Sequence, residues 1–224
     1  MKKISQAIVL ASAMTAGVAA VQTAQAEVSA SAAIASEYLW RGQNLGGKSG
    51  TPQVSGSLDY AHDSGLYAGT WIGSGDSSFG SEYDLFAGYA PTFGEVGLDV
   101  GYVTYMYAEN PEADNLDDSA EVYLGLSYGM ASVYVYKDSS FTVAGQYTVA
   151  SFDLSDYAPL SIAVGNYGGT EGQGNYTHVD LTYSYNDKLA FTLSDIVDQD
   201  VDYQDGGYPD SPKLVLSYTL PIEM

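Results

Sequence analysis

The chain has 224 residues, no cysteine, and 7 Lys and Arg against 28 Asp and Glu for a formal charge of -21, yet 46% of it is hydrophobic and it carries 21 Tyr and 25 Gly. Lack of cysteine excludes a disulfide framework, a thiolate metal site and a cysteine nucleophile. So acidic a chain also lacks the basic face that phosphate backbones demand, which excludes nucleic acid as a partner. Disordered acidic chains are poor in aromatics, and this one is rich in them, so it folds.

The first segment, residues 1–26, reads as a cleaved secretory signal peptide. Lys2 and Lys3 form its positive end, Ile4 to Val21 is small and apolar, and Ala24-Gln25-Ala26 is an A-x-A cleavage pattern. It falls short of the ~20 strongly apolar residues that a membrane-spanning helix needs. The rest, 27–224, is expected to form one domain, and no later apolar run is long enough for such a helix.

From there the hydrophobic pattern has period two, which is the signature of strands with unlike faces. Val28, Ala30, Ala32, Ile34 alternate with Ser29, Ser31, Ala33, Ala35, and a Gly-rich loop at 41–50 follows. Val54, Leu58, Tyr60 then alternate with Gln53, Ser57, Asp59 up to the hairpin turn His62-Asp63-Ser64-Gly65. Leu66 to Gly73 leads through a loop at 76–80 to Tyr83, Leu85, Ala87, Tyr89, opposed by Glu82, Asp84 and Phe86. After a turn at 92–94 come Val96, Leu98, Val100, Tyr102, with Asp99 opposed. An acidic loop at 108–118 precedes Val122, Leu124, Leu126, Tyr128, with Glu121 and Tyr123 opposed. Ala131 to Tyr136 follows, then Phe141, Val143, Tyr147, Val149, and an unusually long connection at 150–159. Leu160, Ile162, Val164 and then Val179, Leu181, Tyr183, Tyr185 come next, the latter opposed by His178 and Asp180. Leu189, Phe191, Leu193, a last acidic loop and Leu214, Leu216, Tyr218, Leu220 end the series.

These make about 12 strands, and connections of alternating length place both chain ends on the short-turn rim. The expected fold class is all-β, an antiparallel transmembrane β-barrel following the signal peptide. In a soluble sandwich the apolar face points inward; in a membrane barrel it points out. Large aromatics at the ends of the apolar stripes favour the barrel: Tyr38 and Trp40, Tyr60, Tyr83, Tyr89, Tyr102, Tyr128, Tyr183, Tyr185 and Tyr218 read as interfacial girdles. The opposite stripes hold Gly, Ser, Ala and Thr with single carboxylates, as a narrow wet interior would.

Three stretches carry a family resemblance: Ser36 to Gly42 (SEYLWRG), Gly56 to Trp71 (GSLDYAHDSGLYAGTW) and Glu82 to Tyr89 (EYDLFAGY). They resemble the TorF-type family named as outer-membrane porins of Gram-negative bacteria, strongly over about residues 28–107 and more loosely beyond. That resemblance implies an outer-membrane barrel with a channel role and names no substrate. The chain departs from the usual aromatic C-terminal residue, ending Leu220-Pro221-Ile222-Glu223-Met224, which bears on assembly more than on fold.

On this reading Glu37, Asp59, Glu82, Asp84, Asp99, Glu121 and Asp180 line the pore, joined by His178 and by two cations near the outer rim, Arg41 and Lys213. Carboxylates inside a low-dielectric wall concentrate cations and repel anions, so the expected function is passive diffusion of small solutes with cation preference. Tyr67, Trp71, Phe86, Tyr105, Tyr107 and Tyr123 narrow or fill the lumen, and a plugged interior of ion pairs stays an open alternative. The acids of the long connections, among them Asp198, Asp200, Asp202 and Asp205, crown the outer mouth. Their D-x-D-x-D run lacks the glycine and distal glutamate of an EF-hand and reads first as a solvated loop. The partners expected are outer-membrane lipid and lipopolysaccharide, small solutes or ions, and divalent cations at those loops, with no cofactor. An enzyme is not expected: no H-E-x-x-H occurs, and a hydrolase built on His178, Asp180 and Ser184 is the weakest of the alternatives.

Overall fold

In the computed structural model, which describes residues 27–47, 51–78, 80–108, 116, 119–139, 145–168, 174–201, 209 and 211–222, the period-two stretches become strands. In chain order they are β1 (Glu27–Ala35), β2 (Leu39–Trp40), β3 (Gln43–Asn44), β4 (Gln53–Ala61), β5 (Leu66–Asp76), β6 (Gly80–Tyr89), β7 (Thr92–Phe93), β8 (Val96–Tyr107), β9 (Ala120–Tyr128), β10 (Ala131–Asp138), β11 (Gln146–Asp153), β12 (Leu160–Gly168), β13 (Tyr176–Ser184), β14 (Leu189–Gln199) and β15 (Lys213–Ile222). Twelve are long, and β2, β3 and β7 have two residues each. Every long strand runs antiparallel to the long strand before it, with β6 paired directly to β8. The ring closes where β1, already paired to β4, also pairs with β15 from Ala30↔Ile222 to Ala35↔Ser217. The result is an all-β, 12-stranded antiparallel barrel without a free edge, the one sheet architecture that satisfies its backbone polar groups in hydrocarbon.

The apolar stripe faces outward. Ile72, Leu85, Val100, Leu124, Leu193 and Leu216 are exposed at mid-strand. Tyr60, Tyr89, Tyr128, Tyr183 and Tyr218 are exposed near the short-turn rim, and Tyr83 and Tyr102 nearer the other. Water offers no reason to expose such a belt, whereas acyl chains flanked by headgroups do. The buried residues include Glu82, Asp84, Asp99, Arg41, His178 and Thr192, so the barrel is polar inside and apolar outside.

Glycine and tyrosine are abundant for one packing reason. Inward rings lie flat over inward glycines of the neighbouring strand. Tyr67 faces Gly88, Phe86 faces Gly69, Tyr123 faces Gly101, and Tyr134 faces Gly125 in register. A Cβ at Gly88, Gly101 or Gly125 would come within 2.3 Å of the facing tyrosine ring or its hydroxyl. A small barrel can thus hold large rings only where the opposite residue has no side chain.

Three expectations from the sequence are corrected. Tyr147 and Val149, placed in the outward stripe, are buried inside, while Phe141 and Val143 lie outside the described residues. The long connection expected at 150–159 is short, because β11 continues to Asp153 and only 154–159 link it to β12. Leu154 closes this link by donating its amide to the Leu160 carbonyl, which returns the connection to the tight rim. The loop expected at 76–80 shrinks to 77–79, Asp138 and Asp198 belong to strand ends rather than to outer loops, and Asp195 lies within β14, opposite Val179. The signal peptide, Glu109, Glu112, Asp114, Asp117, Asp118, Glu171, Asp202, Asp205 and Asp210 lie outside the described residues.

Leu124 is 49% exposed at the middle of β9, so Leu124→Arg places a charge at mid-belt. It should cost about 2–4 kcal/mol in a bilayer, measured by urea unfolding of the vesicle-folded protein. A change within about 0.5 kcal/mol, as at a water-facing site, would contradict the outward assignment.

Candidate functional site

The connection from β1 to β4 does not leave the barrel. Ser36 still donates its amide to Leu216 and accepts on Oγ from the Leu216 amide, and the chain then turns inward. Tyr38 and Leu39 are buried, Leu39 against Ala35 and Val215. A miniature ladder pairs Leu39 with Asn44 and Trp40 with Gln43 around the two-residue turn Arg41-Gly42. Both turn residues have positive φ, 48° and 80°, the pattern of a type I′ turn. Glycine adopts it freely; arginine does so at a cost of order 1 kcal/mol, which persists only when surroundings over-determine it.

Those surroundings are specific. Arg41, 1% exposed, forks onto Glu121 of β9, with Nη1 donating to Oε1 at 2.8 Å and Nη2 to Oε2 at 2.5 Å. Its guanidinium lies 4.4 Å from the ring centres of Trp40 and Tyr147 and 5.0 Å from that of Tyr136. Planar bidentate pairing flanked by aromatic faces is a geometry that lysine cannot reproduce. The backbone is pinned too: Tyr176 donates its hydroxyl to the Arg41 carbonyl at 2.9 Å and accepts from Gln43 Nε2 at 2.7 Å. Tyr38 donates to Glu82, and Asn44 donates to Glu37 at 2.8 Å. Gly42 sits on His178 so closely that a Cβ there would lie 2.6 Å from the His178 Cβ. The hairpin therefore crosses the lumen just inside the rim of long connections, touching β6, β9 and β13.

The remaining predicted residues sort by depth. Glu82 also accepts from Tyr107 at 3.1 Å, and Glu121 from Tyr105 at 2.8 Å. Deeper in the lumen, Asp99 accepts from Tyr67 at 2.8 Å and from Tyr134 at 3.2 Å, and Tyr67 is hydrogen-bonded to Tyr123. Asp59, near the short-turn rim, accepts from Ser57 at 2.8 Å. His178, fully buried, has Nδ1 3.1 Å from Asp180 Oδ1 and Nε2 2.8 Å from the Tyr147 hydroxyl. That disposes of Ser184 as its nucleophile, since Ser184 sits at the opposite end of β13. Lys213 donates to the Pro209 and Ser211 carbonyls at the rim. Arg41 was expected near the outer rim with Lys213. It stands instead at a hairpin tip and pairs with Glu121, 80 residues on.

Sequence reasoning missed Tyr38 and Trp40 as luminal residues, and Tyr136, Tyr147 and Tyr176 around the hairpin. Alternation separates two faces without saying which is outside, and aromatics occupy both. The only local signal for the hairpin was an Arg-Gly pair flanked by residues able to form strands.

A closed barrel with an apolar outer belt and a polar interior is the architecture of transmembrane β-barrels. The chain belongs to the Gcw_chp family, described as bacterial protein of unknown function, whose profile matches residues 19–187. No curated protein matches it by sequence. Among solved structures, a KdgM porin superposes with a TM-score of 0.52 at 12% identity, over 88% of this chain and 99% of that one. A KdgM porin in complex with disordered oligogalacturonate gives 0.48 at 9% identity over 88% and 99%, and OccK10 (OpdN) of Pseudomonas aeruginosa 0.41 at 13% over 90% and 71%. At 12% identity the likeness to the first of these is one of fold.

Arg41→Ala leaves the Glu121 carboxylate with Tyr105 alone and should lower stability by about 3–5 kcal/mol, the usual cost of orphaning a buried charge. Unfolding followed by Trp40 and Trp71 fluorescence reads this. The double change Arg41→Ala with Glu121→Gln should recover part of the loss; a single variant as stable as the wild type would show that the fork does not hold the hairpin.

Proposed function

We propose that the protein is an outer-membrane channel for passive diffusion of small solutes, that it prefers cations, and that the β2–β3 hairpin forms its constriction. The observation that carries this reading is the charge of the lumen. Glu82, Asp84, Asp99, Asp180 and Asp59 face inward at successive depths, and the one buried guanidinium among the described residues, Arg41, is committed to Glu121. Carboxylates enclosed by a lipid-facing wall act through a low dielectric and are weakly screened, so they raise the local cation concentration. The resemblance of residues 28–107 to TorF-type porins supports the channel role alone. Outer-membrane lipid contacts the apolar belt, and lipopolysaccharide the long-connection rim.

A lumen closed at rest is the second reading, favoured by the near-complete burial of Arg41, Tyr147, Tyr176 and His178 around the hairpin. Planar-bilayer recording tests both. Wild-type protein should give single-channel steps whose reversal potential in a KCl gradient favours potassium. Deleting residues 39–44 should raise the conductance several-fold, and steps seen only after that deletion would establish the closed form. Combining Asp84→Asn, Asp99→Asn and Glu121→Gln should move the permeability ratio toward one. A chloride-favouring wild type, or a triple variant with unchanged selectivity, would contradict the proposal.

A further inference from the structure

We propose that Asp84 and Glu82 hold a hard cation, an alkali or alkaline-earth ion, between the β6 wall and the in-folded hairpin. The site deepens the cation-channel reading and rests on it for the sign of the lumen. Asp84 is 1% exposed, and its Oδ1 has neither a hydrogen-bond partner nor contact with solvent. An ionised oxygen in that position lacks the compensation that buried charges normally receive. Its neighbour on the same face is a second carboxylate: Glu82, two residues away, is also buried and within hydrogen-bonding reach of Asp84. Two carboxylates so close repel unless something positive lies between or beside them.

Arg41 does not supply that charge, because its fork is turned onto Glu121. The polar side chains placed against the pair among the described residues are phenols, beside Trp71, which faces Asp84 in the β5–β6 register. Tyr38 and Tyr107 reach Glu82 with their hydroxyls, and Tyr105 stands opposite Asp84 in the β6–β8 register. A donor set of carboxylate and phenol oxygens, with no imidazole or sulfur, suits hard cations rather than zinc or copper. Asp99 and Glu121 differ in just this respect. Asp99 has two phenol donors and Glu121 an arginine fork, so neither leaves an oxygen that calls for an ion. An ion held here sits at the constriction, where every permeating cation must pass or displace it.

Terbium(III), a hard oxygen-seeking ion excited through nearby tyrosine, is the probe. Titrated into the refolded full chain in detergent, it should fill one tyrosine-sensitised site more in the wild type than in Asp84→Asn or in Glu82→Gln, and calcium should displace it. Asp99→Asn should keep the wild-type number. Equal numbers in wild type, Asp84→Asn and Glu82→Gln, each confirmed as folded by its heat-modifiable gel shift, would overturn the site and leave a proton shared between the carboxyls. Should both variants fail to refold, the wild-type channel decides: calcium block and saturation of the potassium current with KCl support the site, and linear, unblocked current overturns it. Cation preference with no site lost overturns the site alone; a lost site in a channel without cation preference overturns the channel reading alone.

Discussion

The ladder between β1 and β15 is the constraint on which everything else rests. Once it closes, no strand edge faces lipid, and the outer surface can be as apolar as the sequence allows. Closure at twelve strands also fixes the interior, because the width of a barrel follows from its strand number. The lumen is then too narrow to stay lined by large side chains on every strand and too wide to be filled by small ones. The sequence answers with aromatic rings set against glycines, Tyr67 on Gly88, Tyr123 on Gly101 and Tyr134 on Gly125, and with a hairpin taken in from the first connection.

Electrostatics explains how that hairpin stays. A guanidinium in an enclosed lumen is stable only beside an anion, and Glu121 provides one with matching planar geometry. The same pairing holds Arg41 in its left-handed backbone conformation. Arg41 is thereby committed to Glu121, and its fork does not extend to Glu82, Asp84 or Asp99. Tyrosine serves both ends: its ring fills volume and its hydroxyl donates to Glu82, Glu121 or Asp99.

Most of the fold was legible in the sequence because period-two alternation is a direct imprint of a sheet with unlike faces. Val54, Leu58 and Tyr60 against Ser57 and Asp59 read the same way in the chain and in the barrel. Carboxylates were legible as inward because an ion cannot face acyl chains. Tyr147 was not, since a ring fits either the belt or a glycine-backed lumen, and its partners Gly165 and His178 lie on other strands. The path of residues 36–46 was illegible for a related reason. Its anchors, Glu82, Glu121 and Tyr176, are distant in sequence, and nothing within the segment encodes them.

The claim most in need of a direct test is that the first connection lies inside the barrel. The chain has no cysteine, so Gly42→Cys combined with His178→Cys introduces the only two thiols, on Cβ positions 2.6 Å apart. A disulfide prefers about 3.5–4.5 Å between Cβ atoms, within about an ångström of relaxation. Oxidising the folded protein in vesicles should give an intramolecular disulfide in high yield and leave residue 42 unlabelled by a membrane-impermeant maleimide. A folded barrel whose residue 42 thiol stays free and is labelled rapidly from the outside would place the hairpin outside the lumen and contradict the account.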